Sequence, residues 1–314
     1  MTLAILCSGQ GHQGSQMFAL TGDVPQADGL FRHAAELLDG RDLREMVKAD
    51  GDAVLHHDRN GQILCTLQAL AARACLADAW PRQVVVAGCS VGEVAAWSIA
   101  GLIDATATLD LVARRAEVMD AASAPGDGLL FVRGLSRDAV EELCRRNGAA
   151  IAIVNPGDAY VLGGSGADLD ALAGQARSKG ASHVVAVGVN VASHTARLTA
   201  ASTAFRKILD QALTARAPAP GIRLLSGIDG STVFDVRAGL DKLAAQISHT
   251  VQWAACLDAC VEAGATAFLE LGPGRALAEM AAAAHEGVQA RSLDDFRTVQ
   301  GVQGWLSRVM VMKS

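Results

Sequence analysis

Aromatic side chains are scarce in this 314-residue chain: they make up 4% of it, with a single tyrosine. A basic excess is absent too, since 27 Lys and Arg face 33 Asp and Glu for a formal net charge of −6. Nucleic-acid binders carry clustered positive charge, so no nucleic-acid partner is expected. No C-x-x-C pair occurs among the seven cysteines, and Cys256 and Cys260 have no second ligand pair at zinc-site spacing. The odd, scattered set reads as reduced thiols of a cytoplasmic protein, without a metal. No apolar stretch reaches membrane-spanning length without a charge. The opening "MTLAILCSGQG" has no basic n-region. Neither a membrane span nor a secretion signal is therefore expected.

What is abundant is aliphatic and small: 51% of residues are hydrophobic and 32 are glycine. That composition suits helices packed on a parallel sheet. The length allows one large domain with an insertion, or two domains. Residues 3–8 and 83–88 read as buried strands, while 28–38 and 61–80 have helical spacing, as do the segments after 92 and after 105. This alternation predicts a parallel sheet covered on both faces. "SAPGDG" at 123–128 breaks the pattern. Beyond it come a strand (129–135), a helix with Ser136 as N-cap, a hairpin (150–155 and 159–165) around Pro156-Gly157, a helix, and a strand (182–189). That is β-α-β-β-α-β, the ferredoxin-like order. The large part then resumes with a helix near 193–215, a strand at 222–227, helices near 238–264, a strand at 267–272 and a closing helix. The expected organisation is a large α/β domain from 1–123 and 193–314, with a small ferredoxin-like domain at 124–192.

Two glycine motifs stand out. Gly9-Gln10-Gly11-His12-Gln13-Gly14 has the form G-x-G-x-x-G after a strand. A dinucleotide site also needs a helix opening at the third glycine and a second strand with an acidic residue. "SQMFALTGDVPQADG" supplies neither. Gly88-Cys89-Ser90-Val91-Gly92 is G-x-S-x-G between a strand and a helix, the setting of a nucleophile elbow. An ordinary turn serine is the competing reading.

Six segments taken in order decide between them. "SGQGHQG", "GCSVGE", "ARRAEVMDAA", "VASHT", "QISHTVQW" and "FLELGPG" resemble the conserved stretches of the malonyl-CoA:acyl carrier protein transacylase family, the acyltransferases of fatty acid and polyketide synthesis. The resemblance runs through nearly the whole chain. It implies an α/β-hydrolase-like core with a ferredoxin-like insert, no cofactor, and malonyl-CoA and an acyl carrier protein as partners of a monomeric enzyme. Residue by residue it makes Ser90 the nucleophile and His194 the base, with Gln246 orienting the histidine through a backbone carbonyl. It gives the backbone N–H groups of Gln10 and Val91 to the oxyanion hole. It sets Arg115 against the malonyl carboxylate, with Gln62 and Asn155 as polar pocket positions. Arginine suits that task because it pairs bidentately with a carboxylate; Arg114 reads as a surface residue.

Departures from the family pattern matter. Cys89 replaces a histidine and would reshape the acyl pocket, and His12 replaces a serine in the N-terminal loop. "VASH" resembles segments that accompany branched extender units, whereas Val91 resembles the malonyl type, so malonyl is favoured and methylmalonyl remains open. A malonate decarboxylase acyltransferase subunit, or an editing thioester hydrolase, is the alternative function. Arg145, Arg146 and Lys179 are candidates for a basic carrier-docking patch beside the cleft.

Overall fold

The computed structural model describes residues 2–212 and 218–311. Strand β1 (Thr2–Cys7) leads through helices α1 (Asp28–Glu36), α2 (Leu43–Ala49), α3 (Asp52–Leu55) and α4 (Asp58–Cys75) to β2 (Val84–Gly88). Helices α5 (Gly92–Ile99) and α6 (Ala105–Ala122) follow. Next come β3 (Asp127–Arg133), α7 (Arg137–Asn147), β4 (Ala150–Asn155), β5 (Ala159–Ser165), α8 (Gly166–Ser178) and β6 (His183–Val187). The chain closes with α9 (Thr199–Ala212), β7 (Ile222–Leu224), α10 (Val236–Ala245), β8 (Val251–Gln252), α11 (Trp253–Glu262), β9 (Ala265–Glu270), α12 (Ala276–Ala284), β10 (Gln289–Ser292) and α13 (Val299–Val311).

Two five-stranded sheets result. The first has the order β10-β9-β1-β2-β7 and is parallel throughout. Its central strands β1 and β2 are apolar on both faces because both are covered. Leu3, Ile5, Val84 and Val86 face one core with Leu64, Leu67 and Leu111. Ala4, Leu6, Val85 and Ala87 face another with Trp253, Leu257 and Phe268. The second sheet has the order β6-β3-β5-β4-β8 and is antiparallel except where β8 joins β4. Its period-2 alternation sorts side chains: Leu130, Val132, Tyr160 and Leu162 pack under α7 and α8, whereas Leu129 and Val161 face the larger core.

Most expected elements are present, and Ser136 caps α7 by accepting from the Ala139 N–H. Three segments differ. The strand expected at 222–227 stops at Leu224, and Leu225 pairs antiparallel with Thr232, turning Ser226 and Gly227 inward. The helical stretch expected at 238–264 is interrupted by a 3-10 turn at Gln246–Ser248 and by β8. The helix expected near 193–215 begins only at Thr199, and 213–215 lie outside the described residues.

The glycines of the G-x-S-x-G turn are there for space. A Cβ on Gly92 would lie 2.1 Å from the Cys7 carbonyl oxygen, and one on Gly88 would lie 2.2 Å from the Gly92 carbonyl. Both obstacles are backbone, which cannot step aside cheaply. Gly92→Ala is expected to cost about 4 kcal/mol or more, the range of severe core strain. It would be read as a large drop in denaturation midpoint or loss of soluble protein; a stability within about 1 kcal/mol of wild type, an ordinary substitution effect, would contradict this.

Candidate active site

Ser90 sits at the tip between β2 and α5 with φ 56°, a left-handed conformation that a non-glycine residue rarely adopts. The turn lifts its hydroxyl clear of both elements. Its Oγ lies 2.8 Å from Nε2 of His194. His194 is 1% exposed and also left-handed, with φ 62°. Its main-chain N–H donates to the Ile247 carbonyl at 2.8 Å, and its ring Nδ1 lies 2.6 Å from the Gln246 carbonyl oxygen. A carbonyl only accepts, so Nδ1 carries the ring proton and Nε2 is free to accept from the Ser90 hydroxyl. Burial, reinforced by the positive Arg115, pushes the His194 pKa down to about 4; the Gln246 hydrogen bond opposes this. The imidazole is therefore neutral at neutral pH.

Gln10 follows β1 and lies in the loop beside this pair. Its side-chain Nε2 donates to the Asp58 carbonyl at 3.0 Å, and the Gly11 N–H donates to Gln13 Oε1 at 2.6 Å. The main-chain N–H groups of Gln10 and Val91 have no acceptor among the described residues. Both stand where the loop and the α5 N-terminus meet Ser90.

A cavity of about 430 Å³ opens over the serine. Gln10, Cys89, Ser90, Asn155 and His194 line it, as does His12. Its other wall is apolar, from Leu129, Phe131, Val161, Val185 and Val187 of the second sheet. Burial pushes the Cys89 thiol up to about 12, so it stays protonated beside the serine. Burial also lowers the His12 pKa.

Arg115 and Gln62 are not part of the cavity lining; they are buried at 1% and 0% exposure. Arg115 Nη1 donates to Gln62 Oε1 at 2.6 Å, and Gln62 Nε2 donates to Asp58 Oδ2 at 2.8 Å. The Arg115 Nη2 group is buried without a partner among the described residues. Burial lowers the guanidinium pKa to about 10, still charged at neutral pH, with Asp58 and then Glu93 opposing the fall. Arg114, its neighbour, is exposed.

Arg145 and Arg146 lie on α7 and both pair with Glu142; Lys179 caps α8. Those helices cover the face of the second sheet opposite the cavity. The basic patch expected beside the cleft is thus on the far side of that sheet, because strand alternation sends the helices and the cavity to opposite faces.

Three buried carboxyls escaped the sequence reading of the site. Asp58 supports Gln62. Glu93 accepts from the Gly227 N–H at 3.0 Å and from the Gln246 side chain. Glu270 accepts from the Ser8 hydroxyl at 2.7 Å and from the Ala278 N–H at 2.9 Å. Glu93 and Glu270 stand in the quoted segments "GCSVGE" and "FLELGPG", which was the available signal. Among the described residues, no group of three or more His, Cys, Asp or Glu is placed to hold a metal ion, and no helix is long and apolar enough to cross a membrane.

Residues 5–300 match the family model described as acyl transferase domain, and the chain belongs to that family. Several relatives carry the name malonyl CoA-acyl carrier protein transacylase, and another is a polyketide synthase. The malonyl CoA-acyl carrier protein transacylase of Mycobacterium tuberculosis is 34% identical over 229 residues, 72% of either chain. The enzyme of that name from Haemophilus influenzae is 25% identical over 312 residues, 96% of this chain and 98% of that one. The crystal structure of an acyl-carrier-protein S-malonyltransferase from Burkholderia pseudomallei superposes with a TM-score of 0.87 at 27% identity, covering 97% of this chain and 100% of that one.

The buried carboxyls make stability depend on pH. Burial raises Glu93 and Glu270 from 4.5 to about 7 and Asp58 from 3.8 to about 6. The folded chain holds these protons where the unfolded chain releases them, so their contribution is lost as pH rises through the folded values. His194 has the opposite sign: neutral when folded, it gains stability as pH rises from about 4 to 6.5. The carboxyls outnumber it. The denaturant midpoint is expected to fall between about pH 5 and about pH 7, and Glu270→Gln should flatten that slope. A slope unaltered in the variant would remove Glu270 as a contributor.

Proposed function

We propose that this chain transfers a malonyl group from coenzyme A to the phosphopantetheine thiol of an acyl carrier protein, by way of an acyl ester on Ser90. The observation that carries the reading is the contiguous chain from the Ser90 hydroxyl through the His194 imidazole to the Gln246 carbonyl. It sits in a family whose relatives carry the same activity in their names.

The chemistry follows from the polarity of that chain. His194 Nε2 takes the Ser90 proton as Oγ attacks the malonyl thioester carbon. The carbonyl oxygen becomes an oxyanion facing the two unengaged N–H groups of Gln10 and Val91, whose donors are already in place and need no reorganisation. Collapse breaks the C–S bond, and the imidazolium returns its proton to the departing thiolate of coenzyme A. The second half-reaction runs the same steps backwards with the carrier's thiol as nucleophile. An acid behind the histidine is not required, because the Gln246 carbonyl fixes the tautomer.

This reading gives the free carboxylate of malonyl to Arg115, which lies outside the cavity lining and whose Nη2 group has no partner among the described residues. Gln62 holds the other arm of the guanidinium, while Asn155 and Cys89 shape the cavity around the acyl group. The same reading treats 124–192 as a ferredoxin-like insert in the core of 1–123 and 193–314. It takes the protein to act as a cytoplasmic monomer with no cofactor of its own.

Malonyl-CoA is expected to add a malonyl mass to the peptide containing Ser90, and labelling that persists unchanged in Ser90→Ala would sink the assignment. Arg115→Ala should slow malonyl transfer about ten- to a hundredfold relative to acetyl, since a charge-assisted hydrogen bond is worth about 1.5–3 kcal/mol. An equal fall for both thioesters would make Arg115 structural. Because the His194 pKa lies at about 4, the rate of Ser90 acylation should stay level through neutral pH and fall only as pH drops toward that value. An acid limb near the ordinary histidine pKa, measured by rapid quench, would contradict the burial argument.

A further inference from the structure

The carbonyl that orients His194 belongs to Gln246, and the Gln246 side chain is itself held. Its Nε2 donates to Oε2 of Glu93, and the same Oε2 accepts from the Gly227 N–H at 3.0 Å. Glu93 is 0% exposed and Gln246 is 1% exposed. The packing leaves no slack. A Cβ on Gly227 would lie 2.7 Å from Glu93 Oε2 and 2.9 Å from Gln246 Nε2, so only glycine lets the carboxylate settle there. Glu93 lies in the first turn of α5, three residues beyond Ser90.

From this juxtaposition we infer that Glu93 is a positioning residue for the reaction: it ties the helix that carries the nucleophile to the residue that orients the base. The inference rests on the reading of Ser90 and His194 given above. One carboxylate oxygen gathers a donor from the turn after β7 and a donor from Gln246. Gln246 cannot rotate away while that bond lasts, so its main-chain carbonyl stays under His194 Nδ1. The neighbouring Ile247 carbonyl holds the His194 main chain. The histidine is therefore fixed at ring and backbone by two consecutive residues, and Glu93 anchors the first of them. Chains of this kind in other serine enzymes use an acid bonded directly to the histidine. Here the acid acts one residue removed, through an amide.

Both donors converge on a single oxygen, which makes the claim separable from one about charge. Glu93→Gln can keep an oxygen in that place; Glu93→Ala cannot. Ser90 acylation should be measured by rapid quench with malonyl-CoA and with acetyl-CoA. Glu93→Ala is expected to lower the acylation rate constant by about tenfold or more, part of the 10²–10⁴ that positioned proton transfer contributes. The loss should be equal for both thioesters and leave KM little changed. Glu93→Gln should stay within about threefold of wild type, a difference under 1 kcal/mol.

The deciding measurement is a double-mutant cycle. Added to His194→Ala, Glu93→Ala should cost nothing more, because its effect passes through the missing imidazole. A loss that persists in that background, or one confined to malonyl, would overturn the inference. If Glu93→Ala does not fold, Gln246→Ala keeps the main-chain carbonyl and removes only the tethered side chain. It should show the same equal loss, and a wild-type rate there would overturn the inference as well. His194→Ala at full rate would instead overturn the assignment of the base, and full rate in Glu93→Ala beside a slow His194→Ala would reject the positioning role alone.

Discussion

The closeness of two backbones at the top of the parallel sheet governs the rest of this structure. The Gly92 Cα rests so near the Cys7 carbonyl that a methyl group there would overlap it. That contact draws the end of β1 and the start of α5 into one crowded corner. The loop after β1 then presents Gln10 to the serine without any hydrogen bond of its own main-chain N–H. The left-handed Ser90, the two N–H groups and the α5 N-terminus meet in that corner, where Gly92 leaves no room for a side chain.

Around that corner the protein keeps an unusual density of buried charge. Arg115 is almost fully enclosed, and no residue among those described salt-bridges it directly; Asp58 reaches it through the Gln62 amide. Isolated buried charges are costly, and here the cost is divided among Arg115, Asp58 and Glu93, whose fields oppose one another's desolvation. The balance leaves one guanidinium arm without a partner among the described residues, as it does one oxygen each of Asp58 and Glu93.

Much of this was legible in the sequence, and unevenly. The G-x-S-x-G between "QVVVA" and a helical run read as an elbow because glycine, small residues and a strand-to-helix change all point the same way. Ser90, His194 and Arg115 could be located from ordered segments, yet their convergence from 90, 115 and 194 is tertiary and has no local signature. Strand alternation was readable in the second sheet, but which face would meet the cavity was not, and this misplaced Arg145, Arg146 and Lys179. Strand β8, two residues long, is set by its partner β4 rather than by its own composition. Glu93 stands in the first turn of a helix, where an acidic residue is commonplace, so nothing local marked it out. Only the inward turn of Ser226 and Gly227 gives it a buried role.

That short β8 has a mechanical meaning. It pairs parallel with β4 at the edge of the second sheet and lies just after Gln246 and Ile247, the two residues that hold His194. Gln252 also donates to the Gly227 carbonyl, beside Glu93. The wall of the cavity and the seat of the histidine are thus stitched along one stretch of chain. Seven consecutive residues, 246–252, therefore serve both the sheet that walls the cavity and the seat of the imidazole.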